Sequence, residues 1–229
     1  MICHEREFIF FHVPKTAGLT MEHVLFPGLR FDGSTLLVED REHAYGWSAE
    51  LGWLQHLTPA EMITHGFISP DQFRRYFKFG FVRNPWERLV SEYVWKLEQN
   101  RLGMPFLGFI ETVASSPATL SAHYMSAHAC RQHLCDQATY LCEPDGELLV
   151  DFVGRFEQLQ DGFDYACDRI GISRQQLPVR NATRHLHYST YYDEQSRELA
   201  ARCYARDIDR FSYSWPSVAR SVSAGGSSE

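Results

Sequence analysis

Residues 8–21 read FIFFHVPKTAGLTM, an unbroken apolar run that passes through a proline into a small-residue turn carrying one lysine. Phe8, Ile9, Phe10 and Phe11 suit a strand buried on both faces of a parallel sheet. Pro14 ends the ladder. Lys15, Thr16, Ala17 and Gly18 then open a predicted helix, whose free N–H groups and dipole make that end an anion site. No glycine precedes Lys15, so the stretch is not the Gly-x4-Gly-Lys-Ser/Thr phosphate loop. Taken alone, it also fits a strand-to-helix turn with no ligand.

A second stretch, residues 76–93, repeats the arrangement as YFKFGFVRNPWERLVSEY. An aromatic strand (Tyr76, Phe77, Phe79, Phe81, Val82) ends in Arg83; Asn84 is the expected N-cap, Pro85 the first helical residue, and Glu87 the closing member of a capping box. Trp86, Val90, Tyr93 and Leu97 recur at helical spacing and read as core, with Ser91 off that stripe. Two parallel strands that both deliver a cation at their carboxyl ends bring Lys15 and Arg83 to one sheet edge, where open α/β folds bind ligands. A single ligand with two anionic ends accounts for both.

These residues resemble the sulfotransferases that use 3′-phosphoadenosine 5′-phosphosulfate (PAPS), in particular the carbohydrate branch with heparan and chondroitin sulfotransferases and their bacterial relatives. The resemblance implies that Pro14, Lys15, Thr16, Ala17, Gly18, Leu19 and Thr20 grip the 5′-phosphosulfate. It implies that the Arg83-Asn84-Pro85, Arg88, Ser91, Tyr93 block grips the 3′-phosphate, with Arg83 and Ser91 as the contacts. Leu19 stands where the family has Thr, which removes one hydroxyl. The likeness continues through His133, Gln137, Tyr140 and Leu141, through residues 151–157 (DFVGRFE), through Leu177-Pro178 and Asn181, and through Tyr191-Tyr192 and residues 207–213, so it spans most of positions 8–213. The implied fold is α/β: a P-loop-like central parallel sheet flanked by helices, in a single domain over 1–215, with a flexible tail at 216–229.

Length and composition agree with that reading. The chain has 229 residues, 44% of them hydrophobic and 14% aromatic, enough for one full core. A formal charge of −7 argues against bulk nucleic-acid binding. Residues 74–101 nonetheless hold seven cations against three anions, which suggests a focused anion site, although Lys96 and Arg101 read as solvated. No apolar run is long enough to span a membrane and no leader is evident, so a cytoplasmic enzyme is expected. The six cysteines are expected to be free thiols. A zinc site at His128, Cys130, His133, Cys135 and Cys142 is disfavoured because the spacings miss the usual ligand arrangements.

Elsewhere, residues 36–38 and 54–57 read as short strands, 105–116, 159–170 and 193–211 as helices, 148–156 as a strand, and 115–147 as an irregular acceptor-side loop. Thr58-Pro59-Ala60-Glu61 is a helix start with its own capping box. For chemistry, sulfuryl transfer in line between two oxygens needs positioning and charge stabilisation, and no metal is invoked. Lys15 is the expected stabiliser of the departing bridging oxygen. His56 is the expected general base toward a hydroxyl acceptor, most simply a saccharide; a packing role beside the helix at Thr58 fits it as well. His43, Glu50 and Glu22 are reserves, His12 is expected to pack beside the strand, and His133 ranks lower as an acceptor contact. Other readings are a non-catalytic nucleotide- or glycan-binding relative and a P-loop-type small-molecule kinase; the latter lacks its glycine before Lys15.

Overall fold

A computed structural model describes residues 1–29, 38–99, 102–178 and 186–215. In chain order its elements are β1 (Ile2–Cys3), β2 (Phe8–Phe11), α1 (Gly18–Leu25), β3 (Trp47–Ser48), β4 (Gly52–Trp53), α2 (Pro59–Thr64), α3 (Pro70–Arg75), β5 (Phe77–Val82), α4 (Pro85–Glu98), α5 (Phe106–Ser115), α6 (Ala127–Leu134), α7 (Ala138–Leu141), β6 (Phe152–Arg155), α8 (Leu159–Ile170), α9 (Glu194–Cys203) and α10 (Ala205–Arg210). Turns of 3₁₀ helix lie at Leu54–His56, Pro117–His123, Phe156–Gln158 and Tyr188–Tyr191.

The main sheet runs β1-β2-β5-β6, parallel from β2 to β6, with β1 antiparallel at the edge. Because side chains alternate along a strand, β2 feeds two cores. Phe8 and Phe10 pack with Phe79 and Phe81 under α1 and α8; Ile9 and Phe11 pack on the other face with Met62, Phe73 and Leu141 of α2, α3 and α7. All four β2 side chains are buried, and each contributes roughly 1.5 to 3 kcal/mol by leaving water. A third core joins α4 to α5, α6 and α9 through Val90, Tyr93, Phe109 and Tyr204. The expected α/β fold, with a mostly parallel sheet flanked by helices, is therefore the one observed.

Local signals held where the partner was local. Thr58 and Glu61 form the reciprocal capping box, and α8 ends at Gly171 in a left-handed conformation. Asn84 caps α4 through the Trp86 and Glu87 N–H groups, but the Glu87 carboxylate turns to Arg83, so the second half of that box is missing. Residues 54–57 do not form a strand: the backbone there winds into a 3₁₀ turn, with the Leu57 N–H on the Leu54 carbonyl. The region 115–147 is more regular than expected, since Ser126 caps α6 and α7 follows. Residues 193–211 break at Tyr204 into two helices, because that ring is buried and its hydroxyl reaches the Leu134 carbonyl. Of the strand expected at 36–38, only Val38 is described; Arg101, Asn181 and the 216–229 tail lie outside the described residues.

Candidate active site

Adjacent pairing of β2 with β5 brings the turns after both strands together. The Arg83 Nη1 donates to the Lys15 carbonyl at 3.2 Å, and its Nη2 to Glu87 Oε1 at 2.8 Å. Its guanidinium lies 4.0 Å over the Phe156 ring, and its Nε is buried with no hydrogen-bond partner. Lys15 and Ala17 both have left-handed backbones, at φ 71° and 68°, a conformation that costs a non-glycine residue roughly 1 to 2 kcal/mol. Ala17 offers no side chain to cap α1, so the Gly18 and Leu19 N–H groups at its start have no cap, while the Thr20 N–H bonds the Ala17 carbonyl. Thr16 braces the turn from its hydroxyl to the Val13 carbonyl at 2.8 Å. Thr20 is buried and Leu19 exposed. Gly18 is required by a close approach: a Cβ there would sit 2.0 Å from the His12 ring.

Residues of the second block divide. Ser91 is buried on α4, two turns beyond Arg83. Arg88 is not free for a phosphate: it donates to the His133 carbonyl at 3.3 Å and the Cys135 carbonyl at 2.6 Å. Tyr140 and Tyr204 hydroxyls take the Gln132 and Leu134 carbonyls at 2.6 and 2.9 Å. The last four open carbonyls of α6 are thus all satisfied by side chains, which fixes His133 in place. Tyr93 likewise serves structure, donating to the Met104 carbonyl. Gln137 reads both backbone groups of Arg83 at 2.8 Å each, and Asp207 in turn accepts from the Gln137 amide.

Three histidines converge beside the Lys15 turn. His56 Nδ1 bonds the His12 carbonyl at 2.8 Å, and its ring meets His12 edge-on at 4.4 Å and His133 at 5.3 Å. His12 Nδ1 pairs with Glu22, and His133 Nδ1 with Glu92 Oε2 at 3.1 Å. A carbonyl acceptor on Nδ1 makes that nitrogen the protonated one in His56, so Nε2 carries the lone pair. Burial, with His12 and His133 adding, holds the His56 pKa well below the usual value, so the ring is neutral. His133 is lowered as well, mainly by burial, against the pull of Glu92. Burial would raise Glu92, but His133, Lys15 and Lys96 outweigh it and bring its pKa down to about 2. Lys15 is lowered by burial, Glu92 opposing and Arg83 reinforcing.

These shifts give stability a sign. The unfolded chain takes up protons at His56 and His133 near pH 6.5 while the folded chain resists, so stability is full above that value and is lost as pH falls below it. We expect the Tm to fall as pH drops from 7.5 to 5.5, and to fall less in His56→Gln; equal slopes in the two proteins contradict the assignment.

Lys15, Thr16, Ala17, Gly18, Thr20, Arg83 and His56 therefore gather at the carboxyl ends of β2 and β5, with Leu19 at the exposed rim and Ser91 buried farther along α4. Of the reserves, only Glu22 reaches the cluster, and it does so through His12. His43 pairs with Asp40 at 2.9 Å, Glu50 is exposed, and Glu22 is committed to His12. The sequence reading missed Glu92 and Trp95, and it named Gln137 only as part of the wider resemblance, without a role. It also misjudged Lys96, which is 2% exposed and lies 3.5 Å over Tyr124. Arg88, Glu92 and Lys96 recur every four positions, a second buried face of α4 that is polar, with the half-buried Trp95 beside it. Among the described residues no group of three or more His, Cys, Asp and Glu side chains is arranged to hold a metal ion, and all six cysteines are free.

Residues 1–214 match the sulfotransferase family. Among curated proteins the chain is similar to carbohydrate sulfotransferase 14 of Danio rerio, at 25% identity over 243 aligned positions covering 95% of this chain and 63% of that protein. The chain thus spans less than two thirds of that relative's length. No solved structure matches.

Proposed function

The chain belongs to the sulfotransferase family, and from that premise we propose that it moves a sulfuryl group from PAPS to a hydroxyl, that of a saccharide. The observation that carries this reading is the 3.2 Å contact between Arg83 and the Lys15 carbonyl, which puts two anion-seeking turns within reach of one nucleotide. The residues fit such a donor. Arg83 retains a buried, unpartnered Nε, the turn after β2 is strained and uncapped, and the half-buried Lys15 lies over the Trp95 ring with no carboxylate of a described residue in salt-bridge contact.

In this reading the free N–H groups at the start of α1, with Thr16 and Thr20, hold the 5′ end, and Arg83 with Ser91 holds the 3′-phosphate. When bound, the nucleotide supplies the sulfuryl group and leaves as 3′-phosphoadenosine 5′-phosphate. Lys15 donates to the bridging oxygen as charge builds there. His56, with its lone pair on Nε2, takes the acceptor hydroxyl proton, and the buried histidine cluster excludes water from that step. The name of the zebrafish relative supports a carbohydrate acceptor.

Transfer of ³⁵S from labelled PAPS to a panel of polysaccharides tests the activity; no transfer to any hydroxyl acceptor overturns it. For the nucleotide grip, Arg83→Ala should weaken binding of 3′-phosphoadenosine 5′-phosphate about 10- to 100-fold, the loss of one charge-assisted contact. Equal affinity by calorimetry rejects the 3′-phosphate assignment.

A further inference from the structure

Glu92 lies in the middle of α4, 2% exposed, with both carboxylate oxygens held. Tyr124 donates its hydroxyl to Oε1 at 2.7 Å and His133 its Nδ1 to Oε2 at 3.1 Å. Trp95, one turn on, stacks on His133 at 5.4 Å. Both ammoniums of the region lie over that indole: Lys15 at 4.5 Å and Lys96 at 4.4 Å from the ring centroid. Lys96 also donates to the His123 carbonyl.

We propose that Glu92 is a positioning residue for the transfer, the buried counter-charge that holds the Lys15 ammonium protonated inside the protein. The inference rests on the role given to Lys15 above. Around Glu92 stand Lys15 from the turn after β2, Lys96 of α4, Tyr124, and Cys130 and His133 of α6. Arg83 at the end of β5 and Glu98 at the end of α4 act on Lys15. His133 gives Glu92 a hydrogen bond and its own pKa is lowered by burial, and the Arg83 charge is already matched by Glu87. Among the described residues Glu92 is therefore the buried carboxylate bonded to His133, the ring that stacks on the indole carrying both ammoniums. An ammonium inside a protein beside other cations releases its proton unless an anion is fixed near it. A neutral amine has no charge to set against the bridging oxygen. Because Tyr124 and His133 clamp both oxygens, Glu92 cannot swing out to form a contact ion pair, so Lys15 stays free to follow the leaving group.

The chain has three lysines, Lys15, Lys78 and Lys96, so ¹³C-lysine labelling gives few resonances to assign. In the apo protein, Glu92→Gln should lower the Lys15 Cε titration midpoint by roughly one pH unit or more. The alkaline limb of kcat should move down by the same amount. In a Lys15→Arg background the same change should leave that limb where it was, since a guanidinium keeps its proton. An unmoved Lys15 midpoint, or a limb that still shifts with arginine present, overturns the proposal. Should the glutamine variant not fold, Glu92→Asp keeps the charge but withdraws it by a methylene, and a smaller shift in the same direction is required. Turnover that survives Lys15→Met rejects the role of Lys15 instead, and the midpoint measurement reads the counter-charge separately.

Discussion

Lys15→Met should lower the single-turnover rate of sulfuryl transfer roughly 100- to 1,000-fold, the loss found when one preorganised donor to a developing charge is removed. Methionine keeps the unbranched stem beside Trp95 and deletes only the ammonium. The stability change should be small or favourable, because burial already disfavours that charge and an apolar group removes the dehydration cost. Glu92 is not stranded by the change, since His133, Tyr124 and Lys96 remain around it. Lost rate without lost Tm separates a chemical role from a structural one. A rate within about tenfold of the wild type removes Lys15 from the chemistry, whatever becomes of nucleotide affinity.

The sheet edge was legible because its signals are local. Four apolar residues followed by Pro14 and Lys15, and six strand residues followed by Arg83 and a capping Asn84, say strand, cation, helix without reference to the rest of the chain. Parallel pairing then follows from the continuous apolar runs, and the Lys15–Arg83 contact from the pairing. The polar face of α4 was not legible in the same way. Glu92 and Lys96 look like solvated charges until α6 and the segment before it cover them with His133, Tyr124 and the His123 carbonyl, 27 to 41 residues further on. Residues 115–147 looked irregular for a related reason. The short helix α7 has a local cap at Asp136 for the Thr139 N–H only; the Gln137 and Ala138 N–H groups are met by Asp207, about 70 residues away. His133 ranked low because nothing near it in sequence shows that its helix end is held by Arg88, Tyr140 and Tyr204.

That dependence on a distant carboxylate sets up the largest stability effect. Asp207 is completely buried and accepts from the Gln137 N–H at 2.9 Å, the Gln137 side-chain amide at 3.2 Å and the Ala138 N–H at 2.9 Å. Asp207→Ala leaves these donors in a space too crowded for compensation by rotation, and each buried unsatisfied group costs about 1 to 3 kcal/mol, so a total near 3 kcal/mol or more is expected. For a chain of this length that corresponds to a fall in Tm of roughly 10 °C. The effect should also reach the site. Gln137 donates to and accepts from the backbone of Arg83, so once its own anchor is lost the guanidinium is no longer held over Phe156 and against the Lys15 carbonyl. Nucleotide affinity should therefore fall with stability even at temperatures where Asp207→Ala is fully folded. Asp207→Asn, which keeps one acceptor and replaces the other by a donor facing donors, should lie between the two proteins in both measurements. Affinity that stays at the wild-type value while Tm drops shows that Arg83 is positioned by the sheet alone, and the relay from α10 through α7 to the strand end is then purely structural.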